Sequence, residues 1–259
     1  MTNSQRLTKQ VIIAAIFFLI AGSFGFWIFR TIKPVPPVPT PNPTANLAPI
    51  KIISTKLLNI ENGDYDFVAK VSNPNTDYGS PDAEYEITFY NAAGNQISQK
   101  RGSFYILPGQ TRYVLETPLK FLEPISRADM AIKNIDWQQL DPLSVGGVSL
   151  ISKNVSYNQI NQAGVFGKVG GSIQNDSDFD LSEVEVLAVL YDQSDSIIAV
   201  NRTNIQTFLA RTSRGFETAW YSSFIGQVVR PDIEAHTNVF ENSNFTRQYQ
   251  KPARFQQYY

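Results

Sequence analysis

The sequence predicts a mainly β protein: two tandem Ig/fibronectin-like Greek-key β-sandwiches after one N-terminal transmembrane helix. Three observations point there. An uncharged apolar stretch lies near the N-terminus, short apolar runs broken by Gly, Pro, Asn and Asp fill the rest, and those runs recur at a nearly constant offset.

Val11 and Phe29 bound nineteen residues without a charge, which at the helical rise reach about 28 Å, close to a bilayer's hydrocarbon thickness. Lys9 precedes the stretch and Arg30 and Lys33 follow it, while Trp27 stands near its end, where an indole prefers the membrane interface. A cleaved signal peptide shares the basic start and apolar core, and Ala21-Gly22-Ser23 offers small residues for cleavage. The length, the bulky Phe24, Phe26, Trp27 and Phe29, and the lack of a clean A-x-A site favour a retained anchor. Arg6 and Lys9 place the short tail of residues 1–10 inside and the body outside, a single-pass plasma-membrane topology.

Residues 30–49 form a Pro-rich linker. From Pro34 the chain reads PVPPVPTPNPTANLAP, and each proline fixes its own φ and biases its predecessor toward extended backbone. Such a stalk is a semi-rigid spacer of about 40 to 50 Å at about 3.1 Å per residue.

Beyond residue 49, strands are expected at 50–57, 66–72, 84–90, 96–105, 111–117 and 128–137, and again at 148–157, 166–174, 183–191, 197–205, 213–221 and 232–240. Six short strands in each half suit a sandwich over 50–140 and a second over 141–241. The halves also align. Tyr85-Glu86-Ile87-Thr88-Phe89-Tyr90 answers to Val186-Leu187-Ala188-Val189-Leu190-Tyr191, and Asn73-Pro74-Asn75 to Asn175-Asp176-Ser177, at offsets of 101 and 102 residues. Tandem duplication explains a register kept over so long a stretch.

In the first half the order Asn73-Pro74-Asn75, Phe89-Tyr90-Asn91, Leu107-Pro108-Gly109 resembles LEA-type/WHy and FxLYD domains, and Val189-Leu190-Tyr191-Asp192 in the second is similar to the FxLYD signature. The second half departs from the pattern with Asn-Asp-Ser and Leu-Ala-Arg at the other two motifs. The resemblance implies Greek-key sandwiches on a bacterial membrane anchor, with no shared catalytic site. The motif residues have architectural work to do. Asn73 and Asn175 can close Asx turns, and Gly94 and Gly109 permit positive φ. Tyr90 and Tyr191 are expected as buried rings with hydroxyls on neighbouring backbone.

Composition narrows the chemistry. With 22 basic and 23 acidic residues and no basic stripe, the chain lacks the footprint of a nucleic-acid binder. Without cysteine, and with His236 as its one histidine, it has no thiolate nucleophile, disulfide or Cys/His zinc site. Asp176, Asp178 and Asp180 alternate as in a calcium loop but lack its glycine and trailing glutamate. They are weak metal candidates, and a solvated loop accounts for them. Gly164, Gly167, Gly170 and Gly171 flank a strand rather than open a helix, so they read as a bulge or close backbone approach rather than a phosphate cradle. No catalytic constellation and no cofactor motif stands out. Residues 242–259 turn polar and read as a disordered tail. Its aromatics Phe245, Tyr249, Phe255, Tyr258 and Tyr259 are candidate anchors for a partner.

The expected function is a non-catalytic extracytoplasmic protein, a binding or scaffold/assembly component of the cell envelope with another envelope or surface protein as partner. The alternatives are a carboxylate-dependent hydrolase built on sandwich loops and a LEA-like stress protectant. A pocket lined by converging Asp or Glu residues would favour the hydrolase.

Overall fold

The structure is a computed structural model that describes residues 47–60, 63–140, 147–243 and 245. The expected span between Val11 and Phe29, and the stalk as far as residue 46, lie outside them. No helix among the described residues is long and apolar enough to cross a membrane. Residues from Asn46 onward belong to one compact unit.

That unit is built from antiparallel strands. The first half carries β1 (Lys51–Asn59), β2 (Asp64–Ser72), β3 (Tyr78–Tyr90), β4 (Gln96–Ile106), β5 (Thr111–Lys120), β6 (Arg127–Ile135) and the two-residue β7 (Gln138–Gln139). The second carries β8 (Leu150–Gln162), β9 (Val165–Asn175), β10 (Leu181–Tyr191), β11 (Ile197–Phe208), β12 (Ser213–Trp220) and β13 (Arg230–His236). All twelve expected strands are present, with ends shifted by a few residues.

Strand order repeats between the halves. Sheets β1-β2-β5 and β4-β3-β6 in the first half correspond to β8-β9-β12 and β11-β10-β13 in the second. Each pair of sheets encloses its own core. Phe67, Ala69 and Val71 of β2 meet Tyr85, Ile87 and Phe89 of β3 in the first, and Val169 and Ile173 of β9 meet Val186, Ala188 and Leu190 of β10 in the second.

A third apolar core joins the halves. Leu58, Val68, Tyr113 and Leu115 of sheet β1-β2-β5 pack on Leu187, Val189, Tyr191 and Val200 of sheet β11-β10-β13. Strands β2 and β10 are therefore covered on both faces, and successive side chains of each are buried in opposite directions. Tyr113 and Tyr191 join hydroxyls inside this seam, and Lys56 Nζ donates to Ser196 Oγ at one end of it.

Turn chemistry repeats as well. Asn91 Oδ1 accepts from the backbone N–H groups of Ala93 and Asn95 (3.1 and 3.0 Å), and Asp192 Oδ1 accepts from those of Ser194 and Ser196 (2.8 and 3.0 Å). Both turns then need a left-handed residue, Gly94 at φ 82° and Asp195 at φ 54°, and aspartate is among the few non-glycine residues that adopt that region readily. The glycines of β9 divide by role. A Cβ on Gly167 would strike the Tyr157 ring, one on Gly171 would crowd the Phe216 ring, and one on Gly170 would meet only the Phe216 carbonyl oxygen at an ordinary 3.7 Å.

Two tyrosines differ from expectation. The Tyr191 hydroxyl meets Tyr113 across the seam instead of backbone. Tyr90 is only half-buried and its ring carries the Arg127 guanidinium at 4.4 Å. The outer face of β3 is solvated where that of β10 is covered, so only the second tyrosine is enclosed.

Asp66 is a buried carboxyl at the edge of the seam, 5 % exposed, with Oδ1 accepting from Thr117 Oγ1. Burial pushes its pKa up to about 6; the Thr117 bond opposes this and the Asp64 charge reinforces it. Between about pH 4 and pH 6 the folded chain therefore holds a proton that an unfolded aspartate has lost, and stability falls as pH rises through that window. Asp66→Asn is expected to stabilise the protein by about 2 kcal/mol at pH 7 and by close to nothing at pH 4. Urea unfolding of both proteins at the two pH values checks this, and an equal difference at both would refute it.

Candidate functional site

Where the halves meet, the seam opens into a crevice of about 330 Å³. The end of β4 and the start of β5 supply Ser103, Tyr105, Arg112 and Tyr113, β10 supplies Ser182, Glu183 and Glu185, and β11 supplies Arg202 and Asn204. His236, at the end of β13, and Thr237, Asn238 and Glu241 beyond it complete the walls.

Arg112 organises the floor. It is 3 % exposed, donates from Nη2 to Glu185 Oε2 (2.7 Å) and from Nη1 to the Tyr105 carbonyl (3.0 Å), and stacks on the Tyr105 ring at 4.3 Å. A buried guanidinium needs such partners, because an unpaired charge there would cost several kcal/mol. The other oxygen of Glu185 lies 3.7 Å from Arg202 Nη1. Glu183 Oε1 accepts from Asn204 Nδ2 (2.6 Å), and the Glu183 carbonyl accepts from Thr237 Oγ1 (2.7 Å). The Tyr105 hydroxyl oxygen is sealed from solvent and has no hydrogen bond of normal geometry, while the Arg112 guanidinium lies close enough to interact with it. Burial pushes this phenol up to about 12, an effect the Arg112 charge only partly offsets.

His236 lies beside this crevice on the seam rather than on an open strand surface. Its Nε2 is 3.0 Å from Glu234 Oε2 and its Nδ1 is 3.1 Å from Gln110 Nε2. Glu234 Oε2 also accepts from the Tyr113 backbone N–H (3.1 Å). Gln110 Oε1 accepts from the Leu107 N–H (2.9 Å), which leaves its Nε2 to donate to the ring's Nδ1 while the ring's Nε2 faces Glu234. The histidine thus stitches β13 to the β4–β5 turn.

The crevice does contain carboxylates from converging strands, the feature that would favour a hydrolase. Two cations flank Glu185 and an amide holds Glu183. Sequence reasoning missed Tyr105, Arg112, Glu183, Glu185 and Asn204 as a group, since they come from strands of different halves.

The aspartates of the 176–180 loop do not converge on an open site. Arg211 pairs with Asp176 (3.0 Å) and Asp178 (2.9 Å), and Asp180 Oδ1 accepts from the Ala210 N–H (2.7 Å). Among the described residues no group of three or more Asp, Glu, His or Cys side chains is placed to hold a metal ion. Phe245 is a correction to the tail reading. It is buried in the second core with its ring 5.5 Å from that of Phe179, so it closes the fold and offers no anchor to a partner. Asn242, also buried, leads into it and donates to the Asp180 carbonyl (3.2 Å). Tyr249, Phe255, Tyr258 and Tyr259 lie outside the described residues.

These features define a mainly β protein of two like halves with a polar crevice between them. No family model matches the chain, and no curated protein matches it. Among solved structures it is similar to a crystal structure of red sea bream transglutaminase, at 9% identity and a TM-score of 0.26, over 74% of this chain and 31% of that one. The chain thus spans under a third of that protein's length, and a likeness this slight carries no argument.

Proposed function

We propose that this chain is a single-pass, membrane-anchored, non-catalytic protein of a bacterial cell envelope. Its β body stands on the extracytoplasmic side at the end of the Pro-rich stalk and binds another envelope or surface component as a scaffold or assembly part. The observation that carries this reading is the third core. It fuses the two halves into one body, which suits presenting fixed surfaces at a set distance from a bilayer. The pairing of Glu185 with Arg112 and Arg202 supports binding over chemistry. The repeated strand order supports the finer fold reading, two Ig/fibronectin-like Greek-key sandwiches of the LEA-type/WHy and FxLYD kind.

Crosslinking of the intact protein in its native membrane, followed by identification of what is captured, tests the proposal. Reproducible capture of one envelope protein is the expected result. Recovery of nothing specific, or a mature N-terminus near Phe24 that leaves the body unanchored, would overturn it.

A further inference from the structure

We propose that the crevice between the halves is a binding site for a neutral polyhydroxylated ligand, one or two sugar rings of a glycan. At about 330 Å³ it lies at the small end of ligand pockets. Its mouth mixes donors and acceptors on every side: the Ser103 and Ser182 hydroxyls, the Asn204 amide, the Glu183 carboxylate and the Arg202 guanidinium. A sugar hydroxyl both donates and accepts, so it matches walls of this kind, whereas an anion or a cation would meet a like charge on the opposite side. Arg112 and Glu185 largely cancel each other at the floor, so net charge does not select the ligand.

The Tyr105 hydroxyl points the same way. The residue lines this crevice, and its hydroxyl is buried behind the lining without a hydrogen bond of normal geometry; a group so poorly paired destabilises the fold that keeps it. A ligand oxygen admitted by a small shift of the ring would accept its proton.

Saturation-transfer NMR on the full chain in a sugar-free zwitterionic detergent tests this, with glucose, galactose, mannose and N-acetylglucosamine as probes and glycerol phosphate and acetate as anionic controls. Transfer to the ring protons of at least one sugar is expected. It should weaken at least fivefold in Tyr105→Phe, which removes only a hydroxyl with no hydrogen bond of normal geometry and leaves thermal stability equal or higher. It should vanish in Ser103→Tyr, an exposed substitution that fills the mouth without reaching a core. No transfer from any of the four sugars, transfer unchanged in Ser103→Tyr, or stronger transfer to an anionic control would overturn the proposal. The inference extends the envelope-binding reading and is separable from it. Capture of a partner without sugar binding removes only the sugar site, and sugar binding without capture removes only the scaffold.

Discussion

Val189→Lys is expected to lower stability by about 3 to 5 kcal/mol, while Thr88→Lys, at the matching position of the first half, changes it by less than about 0.5 kcal/mol. The two residues stand at the same place on equivalent strands, β10 and β3, and differ in what covers them. Val189 is fully buried in the third core among Val68, Leu115 and Leu187, so an ammonium placed there loses its hydration without gaining a partner. Thr88 is half-buried on the outer face of β3, with Asp129 its neighbour on β6, and a lysine there keeps its water and gains a carboxylate. Urea unfolding of the pair of variants measures both. The Val189 variant should also lose the single transition expected of a fused body, because each half keeps its own core while the joint between them fails. An effect under about 1 kcal/mol at Val189 would show that the third core contributes little to holding the halves together.

The same comparison explains how the halves avoid building a longer stack. The seam joins sheet β1-β2-β5 of one half to sheet β11-β10-β13 of the other, two different faces of a repeated unit. A contact of that type propagates without end unless the terminal faces are made unfit for it. On β3 the outward residues are Glu84, Glu86, Thr88 and Tyr90, and Glu86 pairs with Arg101 (2.9 Å) and Lys133 (3.0 Å). On β9 the residues that match Asp66, Val68 and Lys70 are Lys168, Gly170 and Ser172. At the centre of each outer face stands a polar or small residue, Thr88 or Gly170, where the seam strands carry Val189 and Val68, so neither outer face repeats the apolar centre of the seam.

This contrast was legible before any coordinates, though only as a difference between the halves. Tyr85 to Tyr90 alternates apolar and polar residues, whereas Val186 to Tyr191 is apolar throughout. An antiparallel strand with one face in water alternates, and an unbroken apolar run marks a strand covered twice. The twelve strands and the Asn-centred turns could be read because they depend on residues close together in the chain. The crevice could not, since Arg112 and Glu185 lie 73 positions apart and meet only through the seam. Phe245 was misread because one aromatic in a polar segment carries no period, and its burial depends on a gap beside Phe179 that only the assembled core reveals.

Asn175→Ala is expected to cost about 3 kcal/mol, and the nearly isosteric Asn175→Asp at least as much. The side chain is fully buried and its Nδ2 donates to three carbonyls, those of Phe179 (2.8 Å), Leu209 (3.1 Å) and Phe208 (3.3 Å), while Oδ1 accepts from the Ser177 N–H (3.2 Å). It ties the β9–β10 loop to the β11–β12 turn from the buried side, while Arg211 with Asp176 and Asp178 and the Ala210 N–H with Asp180 join the same segments at the surface. Asn73 does the same in the first half, donating to Tyr78 and Leu107 carbonyls (2.7 and 2.9 Å) and accepting from the Asn75 N–H (3.0 Å). Alanine removes the amide's donors from a site too dry to replace them with water, although the Leu209 carbonyl keeps Thr212 Oγ1 as a donor (2.7 Å). Aspartate keeps the shape but turns an acceptor toward acceptors, so it separates lost hydrogen bonding from lost packing. If urea unfolding finds Asn175→Asp close to wild type while Asn175→Ala is destabilised, packing and not the amide's donors holds the loop. The two asparagines would then share a position but not the role argued for them.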